Sequence, residues 1–175
     1  MSAQLAQRVN VRKLAADPVR LAGVVPGEAL ERLRAASLGM TGEARAELEL
    51  VRRDGRIEVH GAVSAQVQLR CERCLEVVDW PLAGEVSAVL VGSADPVAEL
   101  PQDLEPVLLD DDYLAVHELV EDELLLLLPI VARHAEGQCS PPVARNADGA
   151  DLRQAQEVRR PFAGLRDLLD GQGED

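Results

Sequence analysis

Residues 57–71 alternate between apolar and polar side chains, and this pattern restricts the possible folds more than any other feature of the sequence. A period of two is typical of a β-strand with one buried face. The dipeptide Asp54-Gly55, just before it, favours the two-residue turn of a β-hairpin. Alternation also occurs on either side, in residues 46–50 and 78–90. Together these segments predict three antiparallel strands in a meander.

Two helices are predicted to cover this sheet. The first spans residues 26–38, since Pro26 suits a first helical turn and Gly39 suits a helix end. The second spans residues 114–128 and ends before Pro129. Its apolar side chains recur at helical spacing and form a buried stripe. The stripe consists of Val116, Leu119, Val120, Leu124 and Leu127. The predicted fold class is therefore α+β, an antiparallel meander covered by helices.

The end of the chain differs in composition from the rest. Residues 135–158 are small and polar and contain Pro and Gly, which favours a flexible linker. A short amphipathic helix is predicted near the end, with apolar side chains at Phe162, Leu165, Leu168 and Leu169. We therefore expect a single α+β domain over residues 1–134 and a flexible C-terminal tail over residues 135–175.

The charge balance is strongly acidic, with 31 acidic and 18 basic residues and a net charge of −13. Nucleic-acid binders usually carry a basic patch, so the acidity favours either simple solubility or a basic partner. Eleven of the acids lie between Asp95 and Glu123, where there is no Lys or Arg. The first half of this segment is rich in Pro and Asp, which favours an exposed loop or a short edge strand. We expect the acidic face of the second helix to be solvated. His117 on its flank, and His60 on the polar side of a strand, are both expected at the surface.

Several classes of protein are not favoured by the sequence. No apolar run approaches the roughly 20 residues of a membrane helix. The N-terminus lacks the pattern of a signal peptide, so we expect a cytoplasmic protein. Gly-rich phosphate loops, nucleophile elbows and zinc-protease helices are missing. The acidic pair Asp122 and Glu123 would need a shaped pocket to serve as acid and base. We therefore expect neither an enzyme nor a small-molecule substrate.

The cysteines form the one group that could carry chemistry. Cys71 and Cys74 are spaced C-x-x-C at a predicted turn, which brings two thiolates to the same side for one metal ion. His134 and Cys139 are the remaining soft ligands beyond Pro129, and together the four give a Cys₃His set known for structural zinc. Two alternatives stay open, namely reduced thiols without metal and a thioredoxin-like redox pair. The redox pair is less favoured, because a strand rather than a helix follows the motif.

Taken in order, several segments make the sequence resemble the YceD family, whose members are called large ribosomal RNA subunit accumulation proteins. These segments are residues 69–75 around Cys-Glu-Arg-Cys, the helix 119–129 ending in proline, the pair at 134 and 139, and the closing 160–165. Residues 17–20 are also similar. Many members carry further cysteines after the proline, whereas this chain has only Cys139 there.

The resemblance implies a role in the synthesis, processing or stability of 23S ribosomal RNA, acting without assigned catalysis. Its implied partner is ribosomal RNA, bound directly or indirectly, or a basic ribosomal protein. The alternative is a metal- or redox-linked regulatory module that uses the turn at Cys71 and Cys74. If RNA is contacted directly, we expect the contact on the basic side chains outside the acidic segment. These are Arg8, Arg12, Lys13, Arg20, Arg45, Arg52, Arg53, Arg56, Arg70 and Arg73.

Overall fold

A six-stranded sheet dominates the computed structural model, which describes residues 3–14, 17–92, 104–109 and 111–139. The strands run in the order β2-β4-β5-β6-β7, and β3 pairs with the end of β5. A separate two-stranded sheet joins β1 and β8. The elements in chain order are β1 (Arg8–Asn10), a 3₁₀ turn (Val11–Lys13), β2 (Val19–Val25), a second 3₁₀ turn (Gly27–Ala29), α1 (Glu31–Ala36), β3 (Gly39–Met40), β4 (Ala44–Arg53), β5 (Arg56–Arg70), β6 (Val77–Val91), β7 (Glu105–Leu108), β8 (Tyr113–Ala115) and α2 (Val116–Leu126).

The predicted meander is confirmed by the pairing of β4, β5 and β6. The turn between β4 and β5 has φ of 50° at Asp54 and 82° at Gly55, as a two-residue hairpin turn with two left-handed positions requires. Strands β5 and β6 then pair antiparallel without interruption, from Ile57 opposite Leu90 to the end of β5. The predicted α+β class is therefore confirmed.

Gly61 interrupts the apolar alternation of β5, and close contact with the neighbouring strand explains why. A Cβ atom at this position would lie 2.0 Å from the carbonyl oxygen of Glu47 on β4. Any side chain would therefore push the two strands apart at their pairing point. Glycine is required here by the approach of the two backbones.

The short elements differ from the prediction. The first predicted helix is divided into the 3₁₀ turn after Pro26 and the six-residue helix α1. The second begins two residues later than predicted, because residues 113–115 form β8 before α2 starts. Strand β7 pairs parallel with the end of β6, an arrangement that the meander did not suggest. Strands of three or four residues are too short to show a periodicity in sequence.

The core is aliphatic and lies between the inner face of the sheet and the two helices. Leu33 of α1 and the α2 residues Val116, Leu119, Val120 and Leu124 are all buried there. These four α2 residues belong to the predicted stripe. Neither helix among the described residues has the length and apolar character needed to cross a membrane.

One correction concerns His117, which was expected at the surface. Its side chain is buried in the structure, with 9% of its surface exposed. The ring nitrogen Nε2 donates a hydrogen bond of 3.1 Å to the carbonyl oxygen of Leu5. The N-terminal segment lies over this flank of α2, and nothing in the local helical pattern indicates that contact. His60 is half-buried and hydrogen-bonds to Glu58 at 3.0 Å.

A second correction concerns the acidic face of α2, because Glu121 is not solvated. Only 6% of this residue is exposed. Its carboxylate accepts hydrogen bonds from the backbone N–H groups of Arg32 at 2.7 Å and Leu33 at 3.1 Å. It also accepts one from Arg32 Nε at 2.8 Å. Leu30, the N-cap residue of α1, offers no side-chain acceptor, so Glu121 provides the cap from another element.

The predicted domain boundary at residue 134 stays a prediction. The predicted C-terminal amphipathic helix and most of the predicted tail lie outside the described residues, as do residues 95–103 and Asp110 of the acidic segment.

Candidate metal centre

The first half of the cysteine cluster is formed by the turn between β5 and β6. Cys71 directly follows β5 and is fully buried, whereas Cys74 is half-buried. The backbone N–H of Leu75 donates to the carbonyl oxygen of Cys71 at 2.9 Å. The backbone N–H of Cys71 donates to the carbonyl oxygen of Glu76, also at 2.9 Å. Leu75 adopts a left-handed conformation with φ of 67°. This tight turn directs both sulfur atoms to one side, as the C-x-x-C spacing predicts.

The second half of the cluster lies in the segment that follows α2 and Pro129. The backbone N–H of Glu72 donates to the carbonyl oxygen of Ala132 at 2.9 Å, which ties this segment to the cysteine turn. His134 and Cys139 follow directly. The four side chains therefore come together from two parts of the chain that are more than 50 residues apart.

Two separations between the donor atoms match those around a tetrahedral ion. The four donor atoms all lie within 4.8 Å of one another. Cys71 Sγ lies 3.8 Å from Cys139 Sγ, and Cys74 Sγ lies 3.4 Å from His134 Nδ1. Tetrahedral zinc, with Zn–S bonds of about 2.3 Å and Zn–N bonds of about 2.0 Å, separates two sulfurs by about 3.8 Å and a sulfur from a nitrogen by about 3.5 Å. The donor set fits the ion in type, and the Cys71–Cys139 and Cys74–His134 separations fit it in spacing.

The orientation of His134 is set by a hydrogen bond on the far side of its ring. Nε2 lies 3.1 Å from the carbonyl oxygen of Val77, which can only accept. Nε2 therefore carries the proton, and the lone pair of Nδ1 points at Cys74. A backbone carbonyl that fixes the imidazole tautomer is a common support of metal-binding histidines.

The protonation of the thiols is unequal. The pKa of Cys71 is lowered from 9.0 to about 5, chiefly by a hydrogen bond from the backbone of Cys74, with smaller contributions from His134 and Arg73 against the effect of burial. Burial, followed by the sulfurs of Cys71 and Cys74, raises the pKa of Cys139 from 9.0 to about 11. Thiolates this close repel one another, and a cation between them would offset that repulsion.

The acidic pair that was considered for catalysis has a different arrangement. Asp122 accepts a hydrogen bond of 2.6 Å from Arg32 Nη1. The pKa of Glu123 is raised by partial burial and then by the charges of Glu105 and Asp122. Sequence analysis missed the structural role of Glu121, whose contacts with α1 span 88 and 89 residues and leave no local signal.

Comparison with known proteins assigns the family. Residues 59–169 match the family model described as large ribosomal RNA subunit accumulation protein YceD. The protein of that name from Haemophilus influenzae is 27% identical over 164 residues, which cover 89% of this chain and 94% of the relative. No solved structure matches the chain. The family match extends over more than half of the sequence and includes the whole cysteine cluster, so the chain belongs to the YceD family of large ribosomal RNA subunit accumulation proteins.

Proposed function

We propose that this protein is a cytoplasmic ribosome biogenesis factor that supports the synthesis, processing or stability of 23S ribosomal RNA. It acts by binding rather than by catalysis. Membership of the family supports the connection with ribosomal RNA. The observation that supports binding is the closed donor set, in which four protein side chains surround one point.

Zinc is the ion that this donor set suits best. Three thiols and one imidazole are soft ligands, which favour zinc over magnesium or calcium. Catalytic zinc sites keep one position open for water or substrate, whereas structural sites use four protein ligands. With Cys71, Cys74, His134 and Cys139 all bound, no position is left for a substrate. The ion would hold the end of α2 against the β5–β6 turn.

The two parts of the chain differ in charge, and each charge suits a different kind of partner. Residues 1–73 contain 12 basic and nine acidic residues, whereas residues 74–132 contain 14 acidic residues and no basic one. A direct contact with ribosomal RNA would use the first part, because phosphate binding depends on Lys and Arg. A basic ribosomal protein would suit the second part, because opposite charges speed association.

A second candidate function uses the same cluster as a regulatory module. The observation that favours this function is the 3.8 Å separation of the Cys71 and Cys139 sulfurs. At this distance, loss of the ion would leave two thiols close together. In this case the state of the cluster, read at Cys71 and Cys74, would control a partner. Ribosomal RNA levels would then not depend on the protein.

Elemental analysis tests the metal. Protein purified without chelator should carry about one equivalent of zinc per chain, and Cys74→Ser should lose it. Glu76→Gln, an exposed change near the same turn, is the matched control and should retain the ion. Far less than one equivalent in freshly purified protein would disprove the zinc site.

The ratio of 23S to 16S ribosomal RNA in cells tests the function. A deletion strain should have a reduced ratio, which the unaltered gene and Glu76→Gln restore and Cys74→Ser does not. Normal ratios in the deletion strain would reject the biogenesis role and favour the regulatory module. Affinity for isolated 23S RNA then separates the partners, since Arg52→Glu with Arg53→Glu should weaken a direct contact and flatten its salt dependence.

A further inference from the structure

A groove with an apolar floor runs between β7 and α2, well separated in sequence from the cysteine turn. Its volume is about 530 Å³. Val107, Leu114 and Leu119 line it from the inside. At its edge, Leu108 and Leu126 are unusually exposed for leucines, at 66% and 68% of their surface. Two exposed leucines beside an apolar floor form a surface that a partner can cover.

The rim of this groove is acidic. Glu105 of β7 and Glu118, Asp122 and Glu123 of α2 all line it. Asp122 is paired with Arg32 of α1. The chain itself contains no Lys or Arg between Arg73 and Arg133, so neither β7 nor α2 brings a basic side chain to the rim. The groove therefore combines apolar contact area with a negative electrostatic potential.

We propose that this groove binds a basic amphipathic helix of a protein partner. The apolar face of the helix would cover Leu108 and Leu126, and its Lys or Arg side chains would face Glu105, Glu118 and Glu123. This inference rests on the proposed function, in which the partner is a basic protein that assembles on ribosomal RNA. Helix-in-groove recognition with complementary charge is a recurring mode of protein association.

Two features favour a helix over the other possible occupants. Pro106 lies within β7, and a proline in an edge strand discourages pairing with an added strand. Nucleic acid is disfavoured because phosphates would face the carboxylates of the rim. A helix needs no backbone hydrogen bonds from the groove and offers an apolar stripe that can cover its leucines.

The test uses the full chain and a fluorescent peptide of about 18 residues, roughly five helical turns, built from Leu and Lys with the leucines on one face. Fluorescence anisotropy should detect binding that weakens as salt is raised. A peptide of the same composition with its leucines distributed around the helix should bind about tenfold more weakly. A third peptide, with Glu in place of Lys, should not bind.

Substitutions in the groove test whether the peptide binds there. Leu108→Ala with Leu126→Ala should weaken binding about tenfold or more, because both leucines lose contact area. Glu105→Gln with Glu118→Gln should weaken it roughly three- to tenfold at low salt and less at high salt. The matched controls are Leu38→Ala, at a leucine with 51% exposure outside the groove, and Glu43→Gln, at an exposed acid outside the rim. Both controls should bind as the unaltered protein does.

Three results would overturn the inference. The first is equal peptide affinity for the groove variants and their controls. The second is binding of isolated 23S RNA that the two leucine changes abolish. The third is displacement of the peptide by a synthetic segment of residues 152–169, which would assign the groove to the chain itself. The ratio of 23S to 16S RNA in the deletion strain tests the proposed function separately, so a failed groove and a failed function give different results.

Discussion

The cysteine cluster and the acidic groove are built in opposite ways. In the cluster, the four donor atoms lie close together, and the far ring nitrogen of His134 donates to a backbone carbonyl oxygen. In the groove, two leucines and most of the rim carboxylates face outward. The cluster supplies four ligands for an ion and little surface for a partner. The groove supplies surface for a partner and no such ligand set.

This difference links the cluster to stability and the groove to recognition of a partner. A closed ligand set contributes to folding, because the free energy of metal binding to a formed site is also free energy of folding. An open acidic groove contributes little to folding and keeps like charges close together. If the comparison is right, changes at the cluster should strongly alter stability, and changes at the groove should alter binding and shift stability by less than about 1 kcal/mol.

The largest expected effect is removal of the ion. With free zinc a thousandfold above its dissociation constant, the bound ion stabilises the fold by about 4 kcal/mol. Addition of a strong chelator should lower the free energy of unfolding by a comparable amount, and Cys74→Ser should make the protein insensitive to chelator. Chemical denaturation followed by circular dichroism measures both. A chelator effect of the same size in Cys74→Ser would mean that the ion binds elsewhere.

The next effect compares two neighbouring acids on α2. Glu121→Gln removes the charge that caps α1 and should cost about 1–3 kcal/mol, because buried backbone donors lose a charged acceptor. Asp122→Asn, at an exposed position on the groove rim, should cost less than about 1 kcal/mol. Thermal unfolding at neutral pH measures the difference. Equal losses would show that the rim is structural and would remove the contrast between the two regions.

The smallest effect is a pH dependence at Glu123. Burial, followed by Glu105 and Asp122, holds its pKa above the ordinary value of 4.5 in the folded protein. A carboxyl group with a raised folded pKa is most favourable below its unfolded pKa, and this contribution is lost as the pH rises through the folded pKa. Glu123→Gln should therefore gain stability relative to the unaltered protein on going from pH 4 to pH 7. Because the side chain is partly exposed, the gain should be below about 1 kcal/mol.

Denaturation at a series of pH values measures the Glu123 effect, with Glu43→Gln as the control. A constant difference between Glu123→Gln and the unaltered protein across this pH range would contradict the prediction.

The sequence predicted the long strands well because each contains many periods of one pattern. Alternation over residues 57–71 and the Asp54-Gly55 turn were sufficient to predict β5 and its hairpin with β4. Periodicity could not predict β7 or β8, where three or four residues contain no measurable period. For the segment that contains β7, an exposed loop or a short edge strand was expected, whereas β8 was not predicted. Their pairing depends on contacts that only the folded chain makes.

For the candidate sites, predictability followed residue chemistry. Cysteine and histidine are rare in this chain, so the residues able to join Cys71 and Cys74 could be identified without knowing the fold. Glutamate is abundant, and nothing in the sequence distinguished the buried Glu121 from its exposed neighbours. The groove was also not predicted, because it lies between α2 and β7, and the position of β7 beside α2 depends on a parallel pairing with β6 that the sequence did not indicate.

The cap on α1 has a consequence for the order in which the protein folds. A helix of six residues is too short to be stable alone, and the acceptor for its first amides is supplied by a residue 88 or 89 positions later. While the chain is being synthesised, α1 therefore lacks its cap until α2 has emerged and docked. The two helices form one cooperative unit, and the amide hydrogens of Arg32 and Leu33 should exchange with solvent only when that unit opens.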